Sequence, residues 1–520
     1  MAKRRNNKNA GARGGQAPLH ERLRSGEMDA RSKAQRSGGG SARGRAGSGP
    51  SARKGPAGKP AASVPPEPVP GDPRGRIAIV GGGAAGLAAA VAAGRELALL
   101  RCDAPGGAPP VEPSIVVFEA ADRVGKSILA TGNGRCNFSN AEVSPRLYRN
   151  AGFVSDALLA LEAADAARLS ARGDKADLRE GAVRRLFADL GLAWREEGEG
   201  RLYPATGKAT TVVDVLRAAA ASLGAVEACG RRLARIDAPE REGGLFHLRF
   251  ADGSIEHAAA VVLAVGGRHA LMEQGGLLPP RYDREPLRPV LGPLSVEEPV
   301  VRALDNIRVR VRATLLEGGA AGGEKASETG ELLFRSYGVS GICVFNLSRF
   351  AEPGDALSLD FIPGVRACDA EPFLFARRKR LLSCGMLPAG PQGLTGEAFL
   401  RGLLLPQVAR VVMKAAGIEA EAPFGKADVP ALARALKAFP LTIAGIGDER
   451  QCQVMRGGLD AARFDPQTMG SRLDAGLFAA GEALDVDAPC GGYNLHWAWA
   501  SGMLAGMAAV RWVSGVEKPC

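Results

Sequence analysis

The sequence has 520 residues, of which 46% are hydrophobic and 24% charged, as is usual for a globular protein of two or three domains. No apolar stretch reaches the roughly 18–20 residues that cross a bilayer, and Arg4 and Arg5 have no apolar segment behind them, so we expect a soluble, cytoplasmic protein with no membrane partner. Nine cysteines without a C-x-x-C pair and five dispersed histidines argue against a disulfide framework, a dithiol redox centre and a metal site.

The net charge of +11 lies in the first 74 residues, which contain 16 Lys and Arg against 5 Asp and Glu. This segment is rich in Gly, Ser, Ala and Pro and has few large apolar residues, so burial cannot offset its ordering entropy. We expect a disordered basic tail over residues 1–74, either a solubilising extension or an arm that binds polyanions weakly. The rest of the chain is formally neutral, so we expect no other nucleic-acid binding.

The folded part begins at Arg76, where short runs of apolar and β-branched residues alternate with turns and helical stretches. Buried strands are predicted over residues 77–80, 115–118, 261–265 and 477–480. Residues 307–315 alternate apolar and basic, which predicts a half-exposed antiparallel strand with Arg308, Arg310 and Arg312 on its solvated face. Helices are predicted from residue 87 onwards, within residues 370–440 and over residues 495–513, where we expect Trp497 and Trp499 in the core.

The strongest motif is Gly81-x-Gly83-x-x-Gly86, between the first strand and the first helix. In such a motif the first glycine permits a sharp turn, the second admits a pyrophosphate and the third lets the helix pack on the strand. Glu119 ends the second strand and would accept hydrogen bonds from both adenosine ribose hydroxyls. It lies 33 residues after Gly86 rather than the usual ~20, because a Pro/Gly loop over residues 101–114 intervenes.

Glycine-rich segments near the far end distinguish FAD from NAD as the expected dinucleotide. Residues 476–482 predict a strand ending in Gly-Glu, and residues 491–495 (GGYNL) open the final helix. The N-terminus of such a helix can face the pyrimidine edge of a flavin and stabilise negative charge on its reduced form. The sequence therefore predicts an FAD site built from both ends of the folded chain.

These segments resemble the BaiN-type family of FAD-dependent oxidoreductases, bile-acid-inducible flavoproteins also called aminoacetone-oxidase-like. The similar stretches run from residue 77 to about 506 and read IAIVGGGAAGLAAA, GKSILATGNGRCNFSN, GRLYPATGKATTVVDVL, VVLAVGG, GELLFRSYGVSG and GLFAAGEALDVDAPCGGYNLHWAWASGMLAG. The resemblance implies an α/β fold in which both chain ends form a Rossmann-like FAD-binding domain, with an inserted β-barrel-like domain and a nested helical subdomain. The implied segments are FAD domain 75–285, barrel 286–365, helical subdomain 366–440, barrel return 441–460 and FAD domain 461–520.

The resemblance also implies which residues hold the cofactor. Those near the adenosine half would be Gly81, Gly83, Ala85, Gly86 and Glu119. Those near the pyrophosphate or the flavin would be Lys126, Asn133, Gly134 and Arg135. Those along the ribityl chain and the isoalloxazine would be Gly481, Glu482, Asp485, Gly492, Tyr493, Asn494 and Leu495. Four places depart from the family pattern: residues 268–272 replace a Ser/Pro/Gly-rich stretch, residues 334–336 lack a histidine, Met455 stands in place of Thr and His496 in place of Gln.

The residue that would donate a proton is not identified by the sequence. The candidates are Cys136, Tyr337, Tyr493 and His496. For Cys136 and His496 a packing or structural role is the simpler interpretation.

We therefore expect an FAD-dependent oxidoreductase that exchanges a hydride between flavin N5 and a small organic substrate. The resemblance implies reduction of a conjugated double bond, with NAD(P)H as a transient electron donor. The alternative is an oxidase, in which the reduced flavin passes its electrons to oxygen. Two other classes stay open: an FAD-dependent RNA-modifying enzyme, for which the basic tail argues, and a flavin-binding protein without turnover, for which the departures argue. The oligomeric state is left open.

Overall fold

A computed structural model describes residues 69–103, 111–172, 180–241, 243–267, 276–384 and 393–516. Most of the basic tail and the departure at residues 268–272 lie outside the described residues. No described helix is long and apolar enough to cross a membrane.

Strands and helices alternate through the first part of the chain, and strands dominate its middle. The strands are β1 (Arg76–Val80), β2 (Ser114–Glu119), β3 (Ser139–Asn140), β4 (Trp194–Glu197), β5 (Arg201–Pro204), β6 (Val226–Cys229), β7 (Leu233–Asp237), β8 (Phe246–Phe250), β9 (Ile255–Ala258), β10 (Ala260–Leu263), β11 (Arg284–Val290), β12 (Leu294–Val296), β13 (Arg308–Leu316), β14 (Glu324–Arg335), β15 (Gly338–Ser340), β16 (Ala356–Asp360), β17 (Phe439–Ile446), β18 (Val454–Leu459) and β19 (Leu477–Ala479). The helices are α1 (Ala84–Asp103), α2 (Lys126–Ala130), α3 (Ala151–Arg172), α4 (Ala182–Asp189), α5 (Ala209–Ser222), α6 (Ile342–Leu347), α7 (Ala370–Cys384), α8 (Gly396–Leu400), α9 (Pro406–Ala415), α10 (Val429–Lys437) and α11 (Tyr493–Val513).

A five-stranded parallel sheet combines both ends of the folded chain, in the order β19-β10-β1-β2-β6. β1 is buried along its whole length and pairs with β10 on one side and β2 on the other. Continuous apolar strands of this kind are typical of a sheet covered on both faces. The sequence-based expectation of a Rossmann-like domain is confirmed.

Close packing of α1 against α11 joins the two chain ends on one face of this sheet. A Cβ atom at Gly502 would lie 2.3 Å from the carbonyl oxygen of Ala85, and one at Gly506 would lie 2.2 Å from that of Ala89. Trp497 and Trp499 on α11 are fully buried, as expected. The small residues therefore bring two backbones together where the glycine turn begins.

Six antiparallel strands form a closed barrel in the order β12-β15-β14-β13-β16-β17. The predicted alternation of β13 is confirmed, since Val311, Ala313 and Leu315 are buried in the barrel core while its arginines are exposed. Helices α7–α10 lie between β16 and β17 in sequence and share this core. The fold class expected from the resemblance is thus confirmed.

Three small sheets lie outside the parallel sheet and the closed barrel. β11 and β18 pair with each other in a separate two-stranded sheet and do not join the closed barrel, although both fall largely within the segments assigned to it. Two further antiparallel sheets, β3-β5-β4 and β7-β8-β9, were not expected from the sequence. The domain limits given above stay predictions.

Candidate functional site

The glycine turn after β1 has the conformation that the motif requires. Gly81 has φ +106°, and a Cβ atom there would lie 2.3 Å from the carbonyl oxygen of Ala264. A Cβ atom at Gly86 would lie 1.8 Å from the carbonyl oxygen of Gly81. Apart from its own chain neighbours, the one atom of the described residues within 4 Å of a Cβ atom at Gly83 would be Oγ of Ser127, at 3.0 Å. Gly81 and Gly86 therefore satisfy close packing, while Gly83 leaves space beside the backbone.

Glu119 faces this turn from the end of β2. Its carboxylate accepts hydrogen bonds from the backbone N–H of Gly82 and of Ala121, both at 2.7 Å. These two bonds fix the carboxylate next to the N-terminus of α1. The other predicted residue here, Ala85, is buried against the closing helix.

The loop after α2 has a run of left-handed residues, with positive φ at Gly132, Asn133, Gly134 and Cys136. Asn133 is exposed. The two cationic side chains predicted to lie near the cofactor form ion pairs within the chain: Lys126 pairs with Asp122 and Arg135 with Glu197. The Arg135 guanidinium also lies 4.2 Å from the centroid of the Tyr203 ring.

The N-terminus of α11 is opened by Gly491 and Gly492, both with positive φ. A Cβ atom at Gly492 would lie 2.3 Å from the carbonyl oxygen of Ser139. Asn494 fixes the preceding loop, because its side chain donates to the carbonyl oxygen of Ala488 at 2.8 Å and accepts from the backbone N–H of Ala488 at 2.9 Å. Half-buried Leu495 follows on the first turn, whose backbone N–H groups carry partial positive charge.

The segment after β19 contains the remaining predicted residues. Gly481 donates its backbone N–H to Oγ of Ser501 at 2.9 Å. Glu482 is half-buried next to it. Asp485 is buried and accepts from Nε of Arg149 at 2.6 Å and from the backbone N–H of Gly457 at 3.1 Å. Asp485 therefore ties this segment to the turn before α3 and to β18.

The four catalytic candidates have different surroundings. Burial raises the pKa of the Cys136 thiol to about 12, so it is uncharged at neutral pH. Burial lowers the pKa of His496 to about 4, and its Nδ1 lies 2.9 Å from Oγ of Ser139, so this imidazole is neutral and has a partner. Tyr493 is half-buried, which raises its pKa, and its carbonyl oxygen accepts a hydrogen bond from the Tyr148 hydroxyl.

Tyr337 lies apart from the glycine turn, at the barrel. Its ring packs on Gly447, where a Cβ atom would lie 2.4 Å from the ring. Its hydroxyl is buried without a hydrogen-bond partner among the described residues.

A buried ionic cluster that the sequence reasoning missed joins the barrel side to the loop before α11. Asp487 is fully buried and accepts from Nε of Arg349 at 2.7 Å and from Nε and Nη2 of Arg456, both at 2.8 Å. Burial opposes ionisation of Asp487, but the hydrogen bonds and charges of the two arginines outweigh it and hold its pKa below the usual range. The aspartates of the Asp-Val-Asp segment were the only sequence signal, and their arginine partners are far away in the chain.

The residues present fit a dinucleotide such as FAD. The open backbone at Gly83 and the carboxylate of Glu119 suit its adenosine and pyrophosphate half. At the other end, buried Oδ1 of Asn137 has no hydrogen-bond partner among the described residues and lies 2.8 Å from the Cβ position of Gly492. A ligand N–H group would satisfy this acceptor. No described cluster of His, Cys, Asp and Glu could hold a metal ion.

The parallel sheet, the glycine turn and the glycine-led closing helix define the class of protein, a Rossmann-type FAD-dependent oxidoreductase. The family profile described as "HI0933-like protein Rossmann domain" matches residues 75–276 and 295–508, so the chain belongs to the HI0933-like family. The resemblance inferred from the sequence is confirmed.

Alignments with named relatives and with a solved structure cover most of the chain. The 3-dehydro-bile acid delta(4,6)-reductase of Clostridium scindens is 30% identical over 84% of this chain and 99% of its own. The ribosomal RNA dihydrouridine synthase of Haemophilus influenzae is 25% identical over 83% and 98%. The structure of a 3-ketosteroid-delta4-(5alpha)-dehydrogenase from Rhodococcus jostii has 14% identity, covers 84% of this chain and 96% of that chain, and gives a TM-score of 0.37.

Proposed function

We propose that this protein reduces a carbon–carbon double bond conjugated to a carbonyl group, with FAD bound by the predicted residues and NAD(P)H as the donor. The observation that carries the proposal is that the loop leading into α11 is bonded to the barrel side of the molecule: Asn346 of α6 accepts the backbone N–H of Cys490, and Arg349 donates to Asp487. When bound, FAD supplies the hydride. Gly83, Glu119, Asn137 and Gly492 would bind and orient it.

The named relatives support this reaction class. A 3-dehydro-bile acid with delta(4,6) unsaturation contains a carbonyl conjugated to two double bonds, and the Clostridium scindens relative is named as its reductase. Dihydrouridine differs from uridine by saturation of the C5–C6 bond, which is conjugated to the C4 carbonyl, and the Haemophilus influenzae relative is named for that product. Hydride addition to a carbonyl-conjugated double bond is common to both.

A second candidate is reduction of uridine in ribosomal RNA by the same chemistry. The charge distribution favours it, because the entire excess of positive charge lies in residues 1–74, where it would attract a polyanion. A second relative with the same RNA-modifying name, from Escherichia coli, is 26% identical over 81% of this chain.

One experiment tests the reaction class and separates the two substrates. The FAD-loaded protein is reduced anaerobically by light and mixed either with a 3-oxo-4,6-dienoic bile acid or with an unmodified ribosomal RNA transcript. We expect the flavin absorption to return and the substrate to gain two hydrogens by mass spectrometry. A saturated 3-oxo bile acid is the control and should do neither. If oxygen re-oxidises the flavin but neither substrate does, the proposed reaction is wrong.

A further inference from the structure

We propose that Glu328 donates the proton that completes this reduction. The inference rests on the proposed function, because a hydride added at one carbon of a conjugated double bond must be matched by a proton at the next. Glu328 was not among the sequence candidates.

The position of Glu328 in the barrel is the first argument. On β14 it pairs directly with Ala313 of β13, and directly opposed residues of an antiparallel pair point to the same face. Ala313 is fully buried in the barrel core, so Glu328 belongs to the inward-facing row of β14. The other members of that row are apolar or glycine: Ala326, Gly330, Leu332 and Phe334. Glu328 is therefore the one residue of this row that carries a carboxyl group.

Helix α6 covers this part of the inward face. A Cβ atom at Gly330 would lie 3.2 Å from Cβ of Cys343 on α6, which shows how closely the helix approaches. From the same helix, Nδ2 of Asn346 donates to the Glu328 carboxylate at 3.3 Å. Oδ1 of Asn346 accepts the backbone N–H of Cys490 at 2.9 Å. Glu328 is thus connected through one side chain to the loop that leads into Gly491, Gly492 and α11.

Burial favours the protonated form of Glu328, while the hydrogen bond from Asn346 opposes it. Four groups face it from other elements: Glu199 from the β4–β5 turn, Arg349 after α6, Cys343 on α6 and Cys490 before α11. Arg349 would stabilise the carboxylate, but its Nε already donates to Asp487. Among the described ion pairs none includes Glu328. Burial, reinforced by the Glu199 charge, raises the pKa of Glu328 above its usual range.

The proposed step balances as follows. Reduced FAD, when bound, would supply a hydride to the carbon β to the carbonyl group, and the electron pair of the double bond would move towards the carbonyl oxygen. The O–H bond of Glu328 breaks as a C–H bond forms at the α carbon, so the substrate gains two hydrogens and two electrons. Glu328 then takes a proton from solvent, and the proposed donor NAD(P)H would supply the two electrons for the next cycle.

The test compares Glu328→Gln with Glu331→Gln in the FAD-loaded full chain. Glu331 lies on the same strand but is exposed and pairs with Arg308, so its variant controls for loss of a carboxyl group. The photoreduced protein is re-oxidised by whichever probe the wild type reduces. We expect Glu328→Gln to slow this re-oxidation about 100-fold or more. Photoreduction and flavin absorption should be unchanged, and Glu331→Gln should match the wild type. Glu328→Asp should recover part of the rate.

An infrared titration supplies a readout independent of turnover, and it is also possible for protein that reduces no probe. The wild type should show a protonated-carboxyl band that persists above the pH at which ordinary carboxyls ionise, and Glu328→Gln should lack it. The re-oxidation rate of the wild type should fall as pH rises through that titration, while that of Glu328→Gln stays flat. Equal rates and equal infrared bands in Glu328→Gln and the wild type would overturn the role of Glu328 and leave the reductase intact. A wild type that reduces neither probe would overturn the proposed function, and the proton-donor role with it.

Discussion

At the scale of single residues, buried Asp487 and half-buried Glu328 have opposite electrostatic surroundings. Asp487 is surrounded by arginines that hold it ionised, whereas Glu328 has an amide partner and a neighbouring acid. The first setting stabilises structure, since an ionised group with several donors is locked in place. The second suits a group that must exchange a proton at a pH near neutrality.

Asp487→Asn should lower the free energy of unfolding by about 3–5 kcal/mol, because two buried arginines would lose their counter-charge. Urea unfolding at pH 7 measures this. Since the folded pKa of Asp487 lies below the usual value, its contribution is complete above about pH 3.9 and is lost as pH falls through the folded pKa. The wild type should therefore lose stability towards acid more steeply than the variant. A variant as stable as the wild type at pH 7 would contradict this account of the cluster.

The residue scale also shows where sequence reasoning ends. The glycine turn and Glu119 could be predicted because their geometry depends on a few neighbouring residues. Glu328 could not be distinguished from the other acids of β14, Glu324 and Glu331, because its inward direction follows from the register with β13. Asn346 and Cys490 are 144 positions apart, and nothing local to either residue indicates their contact.

At the scale of elements, the contact between α1 and α11 holds together the two chain ends that carry the predicted cofactor residues. Both helices are rich in alanine and glycine, so their backbones approach closely, and each begins near one end of the predicted dinucleotide. The two helices and their small residues were visible in the sequence. The pairing of β11 with β18 was not, since it joins strands on either side of the barrel and helical segments.

Gly506→Ala should destabilise the protein by about 1–3 kcal/mol, because the new Cβ atom would lie 2.2 Å from the carbonyl oxygen of Ala89 and force the helices apart. Gly152→Ala is the matched control. Gly152 is exposed near the start of α3, and a Cβ atom there would have nothing within 4 Å, so this variant should be neutral or more stable by up to about 1 kcal/mol. Thermal unfolding of both variants measures the difference, and equal effects would disprove the close-packing argument.

At the scale of the whole molecule, the described site residues and the basic segment occupy separate parts of the sequence. The charge excess ends at residue 74, and the glycine turn begins at Gly81. We therefore expect any polyanion binding by the basic segment to be separable from FAD binding.

Deleting residues 1–68 should leave FAD binding and the unfolding temperature unchanged, while RNA binding becomes weaker and less dependent on salt. Filter binding at several salt concentrations, with a neutral polysaccharide as the control ligand, measures this. RNA affinity that is unaffected by the deletion would place the binding surface on the remaining chain and would favour RNA as the substrate.

The most direct test of the central claim is a titration of flavin-free protein with FAD, FMN and NADP. Binding is measured by absorption spectroscopy and by isothermal titration calorimetry. The geometry predicts one FAD per chain, much weaker binding of FMN because it lacks the adenosine half that Glu119 would hold, and weak binding of NADP because Glu119 repels a 2′-phosphate. Glu119→Ala should weaken FAD binding at least about tenfold, equivalent to roughly 1.4 kcal/mol. Absence of FAD binding, or FMN binding as tight as FAD, would contradict the account.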